Sequence, residues 1–244
     1  MNMLQDELHK ILKSHTNKFY PIVEFNPNYE KLVSFDLSES NQDLKRINVE
    51  DTQEFSRYIF EYLKIQNAKF GYGGYNERRS LYNKSNLFNN NLTGQQKSLT
   101  TEEPRRLHIG IDIWGKAGTG IFSPLDGSVH SFAFNDQYGD YGATIILRHQ
   151  LEGMDFYTLY GHLSLCDIKD LNTGLKISGG QKLAHFGEPA ENGHWPPHLH
   201  FQIIKNIASF VGDYPGVCKL SESKQYLENS PDPDLILNMS KLIS

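Results

Sequence analysis

Two kinds of periodicity divide the chain. Near its start Leu4, Leu8, Ile11 and Leu12 fall on one helical stripe, while Val33, Phe35 and Leu37 alternate as a short strand does. Asp51 and Glu54 stand at the spacing of an N-terminal cap pair. Phe55, Tyr58, Ile59, Tyr62 and Leu63 follow at helical intervals, which predicts a helix over about 51–67, ended by Gly71, Gly73 and Gly74. The stretch from Phe88 to Gln96 is polar and rich in turn-forming residues, the pattern of a loop or linker, and a domain boundary is expected just after it, at about 95–104. Beyond it, period-two runs alternate with turn signals at Asp126-Gly127, Tyr138-Gly139-Asp140-Tyr141-Gly142, Glu152-Gly153 and Ser178-Gly179-Gly180. The expectation is a mainly β, largely antiparallel domain over 99–244, preceded by a smaller mixed α/β segment over 1–98. Helical structure after residue 110 is expected only as a turn near Asp167 to Leu171, and the tail from Val217, with Pro231 and Pro233, is expected to wrap the surface.

Three segments of the β region carry chemistry. In Pro196-Pro197-His198-Leu199-His200-Phe201-Gln202-Ile203 the alternation puts Leu199, Phe201 and Ile203 on one face and His198, His200 and Gln202 on the other. One face is core, and the other presents two imidazoles. Leu107-His108-Ile109-Gly110-Ile111-Asp112-Ile113-Trp114 also alternates, yet a flat strand separates residues four apart by roughly 13 Å, too far for His108 and Asp112 to share one ion through bonds of about 2 Å. The chain is therefore expected to bend, and Gly110 is where a bend costs least. On this segment alone, a hydrogen-bonded surface pair remains the other reading. Asp155-Phe156-Tyr157-Thr158-Leu159-Tyr160-Gly161-His162-Leu163 is an aromatic strand ending in His162. Two His and one Asp would leave Zn²⁺ an open position for a water whose pKa falls towards about 7, and a second pair of imidazoles can move its proton.

Composition narrows the function. At 244 residues the chain can bury a sizeable core, and its net charge of −5 without a dense Lys/Arg block argues against nucleic acid or an anionic membrane as partner. No apolar run approaches the roughly 18 residues of a membrane span. Cys166 and Cys218 show no CxxC spacing, and as two thiols or one disulfide they leave the redox compartment open. The N-terminus lacks the basic and apolar segments of an export signal, which implies a cytoplasmic protein as written, or a periplasmic or extracellular one if such a signal has been removed.

Taken in order, His108-Ile-Gly-Ile-Asp112, Tyr160-Gly-His162-Leu163 and His198-Leu-His200-Phe201 resemble the signature of the lysostaphin/LytM-type zinc metallopeptidases. The resemblance runs from about Leu107 to Ile204 and includes Gly118-Thr119-Gly120, Pro124-Leu-Asp-Gly127, Tyr141-Gly142 and Gly180-Gln181. It implies a twisted antiparallel β-sheet whose groove holds zinc on His108, Asp112 and His200, with His162 and His198 catalytic. The implied activity is hydrolysis of a peptide or peptidoglycan-like amide bond. Glu191-Asn192-Gly193-His194-Trp195-Pro196-Pro197 stands where many members carry a Gly/Ser/Thr-rich turn, which reshapes a groove wall. One branch of the family is joined to aminotransferase and small-molecule kinase domains, and the chain looks like that branch, so a substrate outside the cell wall also follows. The alternatives are a non-catalytic metal-binding or interaction domain using the same groove, and a structural role without metal.

The remaining candidates read more plainly. His149 shares parity with Ile145 and Leu147 and is expected to face the core side. His194 is expected on the groove wall, and His130, His185, His9 and His15 to be structural or exposed. In Gly71-Tyr72-Gly73-Gly74-Tyr75-Asn76-Glu77-Arg78-Arg79-Ser80-Leu81-Tyr82 the plain reading is a glycine turn followed by a solvated strand or helix start. The sharper one is that Tyr75, Arg78 or Arg79 lines the groove, or that Asn76 or Glu77 caps the metal's open position in a latent form.

Overall fold

The computed structural model describes residues 3–89 and 103–243. Most of the expected boundary and most of the expected linker lie outside the described residues. In chain order the elements are α1 (Met3–His15), β1 (Leu32–Ser34), α2 (Thr52–Ile65), β2 (Phe70–Gly73), β3 (Glu77–Arg78), β4 (Leu107–His108), β5 (Ile111–Trp114), β6 (Gly120–Phe122), β7 (Gly127–Asn135) and β8 (Gly142–Leu151). They continue with β9 (Met154–Leu163), β10 (Lys176–Ile177), β11 (Lys182–His185), β12 (His198–Ile204), β13 (Val217–Cys218), α3 (Ser223–Asn229) and α4 (Asp234–Leu237).

Helix α2 forms for the reasons its sequence suggests. The Asp51 carboxylate accepts from the backbone N–H of Gln53 and Glu54, satisfying donors that the first turn leaves open. Phe55, Ile59 and Leu63 lie four apart and are buried, each contributing about 1.5–3 kcal/mol. The helix stops at Ile65 and Asn67 takes a left-handed turn with φ of 51°, so it ends before the glycines. Its buried face meets Trp114, with the Phe55 ring 5.9 Å away, and so it backs the strand that carries Asp112.

The main sheet has eight strands in the order β1-β2-β5-β12-β9-β8-β7-β10. Only the β1–β2 pair is parallel; the other neighbours run antiparallel. Strands β13, β4 and β3 form a second sheet, and β11 pairs with β6. Because β2 pairs with β5, strands from the N-terminal segment extend the sheet of the β domain. Leu199, Phe201 and Ile203 of β12 enter the main core together with Ile145 and Leu147 of β8, the parity read from the sequence.

The tail differs from expectation. It carries α3 and α4 as well as β13, and Ile236 and Met239 are buried in the main core instead of lying over the surface. Cys166 is exposed, Cys218 is buried, and neither forms a disulfide. Among the described residues, no helix is long and apolar enough to cross a membrane.

Candidate functional site

The bend expected between His108 and Asp112 is a change of sheet. β4 ends at His108 paired with β13 and β3, and β5 begins at Ile111 paired with β2 and β12, with Ile109 and Gly110 between. A Cβ at Gly110 would lie 2.4 Å from Cε1 of His200, so only glycine lets the chain turn this close to that ring. In the antiparallel register Asp112 stands opposite His200, which brings together residues far apart in sequence.

Three donor atoms converge. Nε2 of His108 lies 2.9 Å from Nδ1 of His200 and 3.3 Å from Oδ1 of Asp112, and the latter two are 3.2 Å apart. All three residues are buried. The hydrogen-bond partners fix the protons. Nδ1 of His108 donates to the Gly74 carbonyl at 2.8 Å, which leaves Nε2 bare. Gln202 donates through its amide nitrogen to the Pro215 carbonyl at 3.3 Å and to Ser230 Oγ at 2.9 Å; the carbonyl can only accept, so Oε1 turns towards Nε2–H of His200 at 3.1 Å and leaves Nδ1 bare. The inner face therefore holds two imidazole lone pairs and a carboxylate oxygen with no proton among them. Such a set is mutually repulsive unless a cation sits within it. Its spacings are close to the roughly 3.3–3.4 Å edge of a tetrahedron with bonds of about 2.0–2.1 Å. Among the described residues this is the group of three or more His, Cys, Asp or Glu able to hold a metal ion.

The electrostatics agree. Burial pushes the His108 imidazole down to about 4, with Arg79 adding to it, so the ring is neutral at pH 7. Burial acts to raise the Asp112 carboxyl, but His108 and Arg79 outweigh it and hold the group well below the usual carboxylate range. His162 and His198 stand beside the donor set, their ring centroids 4.1 Å apart. Nδ1 of His162 donates to the Asn192 carbonyl at 2.8 Å, and Nδ1 of His198 to the Pro196 carbonyl at 2.7 Å, so both rings keep Nε2 free to accept. Burial lowers His198 to about 4 and His162 well below the ordinary histidine value. His162 also sits at φ of 64°, a left-handed conformation that costs a non-glycine residue of order 1–3 kcal/mol, and the Tyr141 carbonyl holds its N–H there at 2.8 Å. Trp114 stacks on His198 at 3.9 Å and fixes its plane.

Residues 106–210, which include these five side chains, match the model of peptidase family M23. This segment, under half of the chain, is thus similar to the M23 peptidases. A protein named "Uncharacterized metalloprotease" from Haemophilus influenzae is 33% identical over 128 residues, 50% of this chain and 25% of that one. The "DD-carboxypeptidase/endopeptidase Mpg" of Neisseria meningitidis serogroup B is 32% identical over 101 residues, 41% of this chain and 21% of that one. The chain thus spans a quarter or less of the length of these relatives. The catalytic domain of the antimicrobial peptidase lysostaphin from Staphylococcus simulans aligns with 21% identity over 51% of this chain and 81% of that one, at a TM-score of 0.35.

The M23 residues line a cavity of about 90 Å³, and other parts of the chain complete its wall. Arg79 and Tyr82 come from before the M23 segment, and Asp213 and Tyr214 from after it. Asp140 also lines the cavity, and burial pushes its carboxyl up to about 6. Trp195 faces the cavity, whereas its neighbour His194 is exposed against Tyr138, which corrects its expected place on the wall. His149 is buried and bonded to the Asp126 carbonyl and Thr158, away from this cavity. His185 pairs with Asp167 at 3.1 Å, His130 packs against Tyr157, His15 lies 3.4 Å from Glu152, and His9 is exposed.

The segment 71–82 divides. Arg78 forms a surface pair with Glu39, as a solvated strand would, but Arg79 is 2% exposed and donates to Asp112 Oδ2 at 2.6 Å. Tyr75 reaches the Ser230 carbonyl, Asn76 occupies a left-handed turn, and Glu77 is bound to Arg79 and to the Leu37 N–H. These contacts take Tyr75 and Glu77 away from the donor set and do not fit a cap over a metal's open position. Gln202 had a signal in the sequence, its shared parity with His198 and His200. Tyr82 and Asp213 had none.

Proposed function

We propose that the chain is a zinc-dependent amide hydrolase acting on short peptides, peptidoglycan-type or other. The observation that carries this reading is the convergence of three proton-free donors, His108 Nε2, Asp112 Oδ1 and His200 Nδ1, at 2.9–3.3 Å from one another. Zinc bound there would supply Lewis-acid polarisation of the scissile carbonyl and activation of water. The chain's own residues would do the rest. His162 and His198, neutral and with Nδ1 tied to carbonyls, are set to accept a proton at Nε2 and to return it to the leaving amine. Once protonated, either ring can stabilise a developing oxyanion. The aromatic walls of Tyr82, Tyr141 and Trp195 around a small cavity suit a peptide end or short segment. A cell-wall substrate would go with a periplasmic or extracellular location, and another peptide with the cytoplasm.

The test is metal analysis and hydrolysis of a panel of short peptides and peptidoglycan fragments, by wild type and His162→Ala. Wild type is expected to carry one zinc and turn over at least one substrate. His162→Ala is expected to keep the zinc and lose about 10²–10⁴ in kcat/KM. Zinc retained by wild type with no turnover on any substrate would favour a binding domain.

A further inference from the structure

Two of the proposed metal ligands are held from outside the M23 segment. Nδ1 of His108 donates to the carbonyl of Gly74, which follows β2, and the second oxygen of Asp112 accepts from Arg79, which follows β3. The pairing brings them there: Gly73 stands opposite Asp112 and Glu77 opposite His108. The fit leaves no slack. A Cβ on Gly74 would lie 2.1 Å from Nη2 of Arg79 and 2.9 Å from Nδ1 of His108, and its φ of +106° is costly for any other residue.

A guanidinium this close to a metal ligand would ordinarily repel a cation. Here Glu77 accepts from Nε of the same Arg79 and is itself held by the Leu37 N–H at 3.1 Å. Glu77, Arg79 and Asp112 together keep one net negative charge, the charge Asp112 brings alone. The arginine can thus orient the carboxylate without cancelling it. Its planar fork engages Glu77 and Asp112 at a fixed angle, which a lysine ammonium does not reproduce.

We propose that Gly74 and Arg79 are positioning residues of the metal site, the backbone carbonyl selecting the His108 tautomer that binds through Nε2 and the guanidinium aiming Oδ1 of Asp112 at the ion. This rests on the zinc reading above and adds that the segment before the M23 match sets metal affinity.

The experiment is a chelator-competition titration of zinc with the full-length chain, alongside the visible spectrum of the cobalt(II) form. Wild type fixes the reference; if it takes up no zinc, the hydrolase reading falls and this inference with it. With wild type binding, Arg79→Ala is expected to weaken zinc by about 10–100-fold and to shift the cobalt ligand-field bands. Non-denaturing guanidinium is expected to restore part of both by filling the space left. Arg79→Lys, which keeps the charge and most of the buried stem, is expected to weaken zinc as well and guards against a folding failure of the alanine variant. Gly74→Ala should weaken zinc too. Unchanged affinity in the folded Arg79 variants would overturn the proposal and leave the zinc reading standing. Tighter binding would do so too, showing that the guanidinium acts as a competing charge.

Discussion

His149 is as buried as the imidazoles of the cavity but performs a different task. Its Nδ1 donates to the Asp126 carbonyl at 2.8 Å and its Nε2 meets the Thr158 hydroxyl at 2.7 Å, so the neutral ring joins a strand to a turn. Burial lowers it to about 4. The unfolded chain takes up a proton at about 6.5, so between those values it binds protons that the folded chain refuses. Stability therefore falls as pH drops through that window, by on the order of 3 kcal/mol for this ring alone. Urea unfolding of wild type and His149→Gln between pH 7.5 and 4 is expected to show a shallower slope in the variant; parallel curves would contradict the assignment. At this scale the sequence was informative where chemistry repeats at short spacing. His198, His200 and Gln202 share a strand face, and parity alone groups them. The glycine-rich stretch before Arg79 marks it as a candidate for the groove, whose wall it does line, but its bond to Asp112 depends on the path of the chain through β2 and β3, which no neighbouring residue signals.

The central elements β5, β12 and β9 act as a register device. Asp112, His200 and Gly161 lie side by side across the three strands, and a slip of β5 or β12 by one residue would turn Asp112 or His200, both proposed ligands, to the opposite face. Gly110 protects that register where β4 gives way to β5. Gly110→Ala would place a methyl 2.4 Å from Cε1 of His200 and 3.0 Å from the Phe201 carbonyl. It is expected to destabilise the chain by about 1–3 kcal/mol and to weaken zinc by about 10-fold or more. Denaturant midpoints and zinc titration check the two effects separately, and wild-type zinc affinity would show that the turn can shift without moving the ring. Long periodic elements such as α2 and β12 were legible in the sequence. Helices α3 and α4, of 7 and 4 residues, are too short to display a period, and prolines at 231 and 233 make the tail read as irregular chain.

For the molecule as a whole, the sheet runs across the interval where composition suggests a boundary. β1 and β2 cover the edge of β5, and α2 packs on Trp114 from behind. A chain starting at residue 103 would expose that edge and strip Gly74 and Arg79 from the site. It is expected to self-associate and to bind zinc at least about 10-fold more weakly, as measured by size-exclusion chromatography and zinc titration. A monomeric fragment with wild-type affinity would mean that the M23 segment is autonomous. Composition marked the change from mixed to β patterning, but strand pairing across such a distance leaves no local trace.

The facing ring nitrogens of His108 and His200 belong to residues 92 apart in the chain, and the bond between Arg79 and Asp112 joins residues 33 apart. A site assembled from such remote pieces cannot exist in a partly folded chain, where each imidazole or carboxylate is a weak, isolated ligand. Metal capture would then follow the pairing of β5 with β12 and the placing of His108 at the end of β4, so that the rate of zinc uptake reports when those strands have come together.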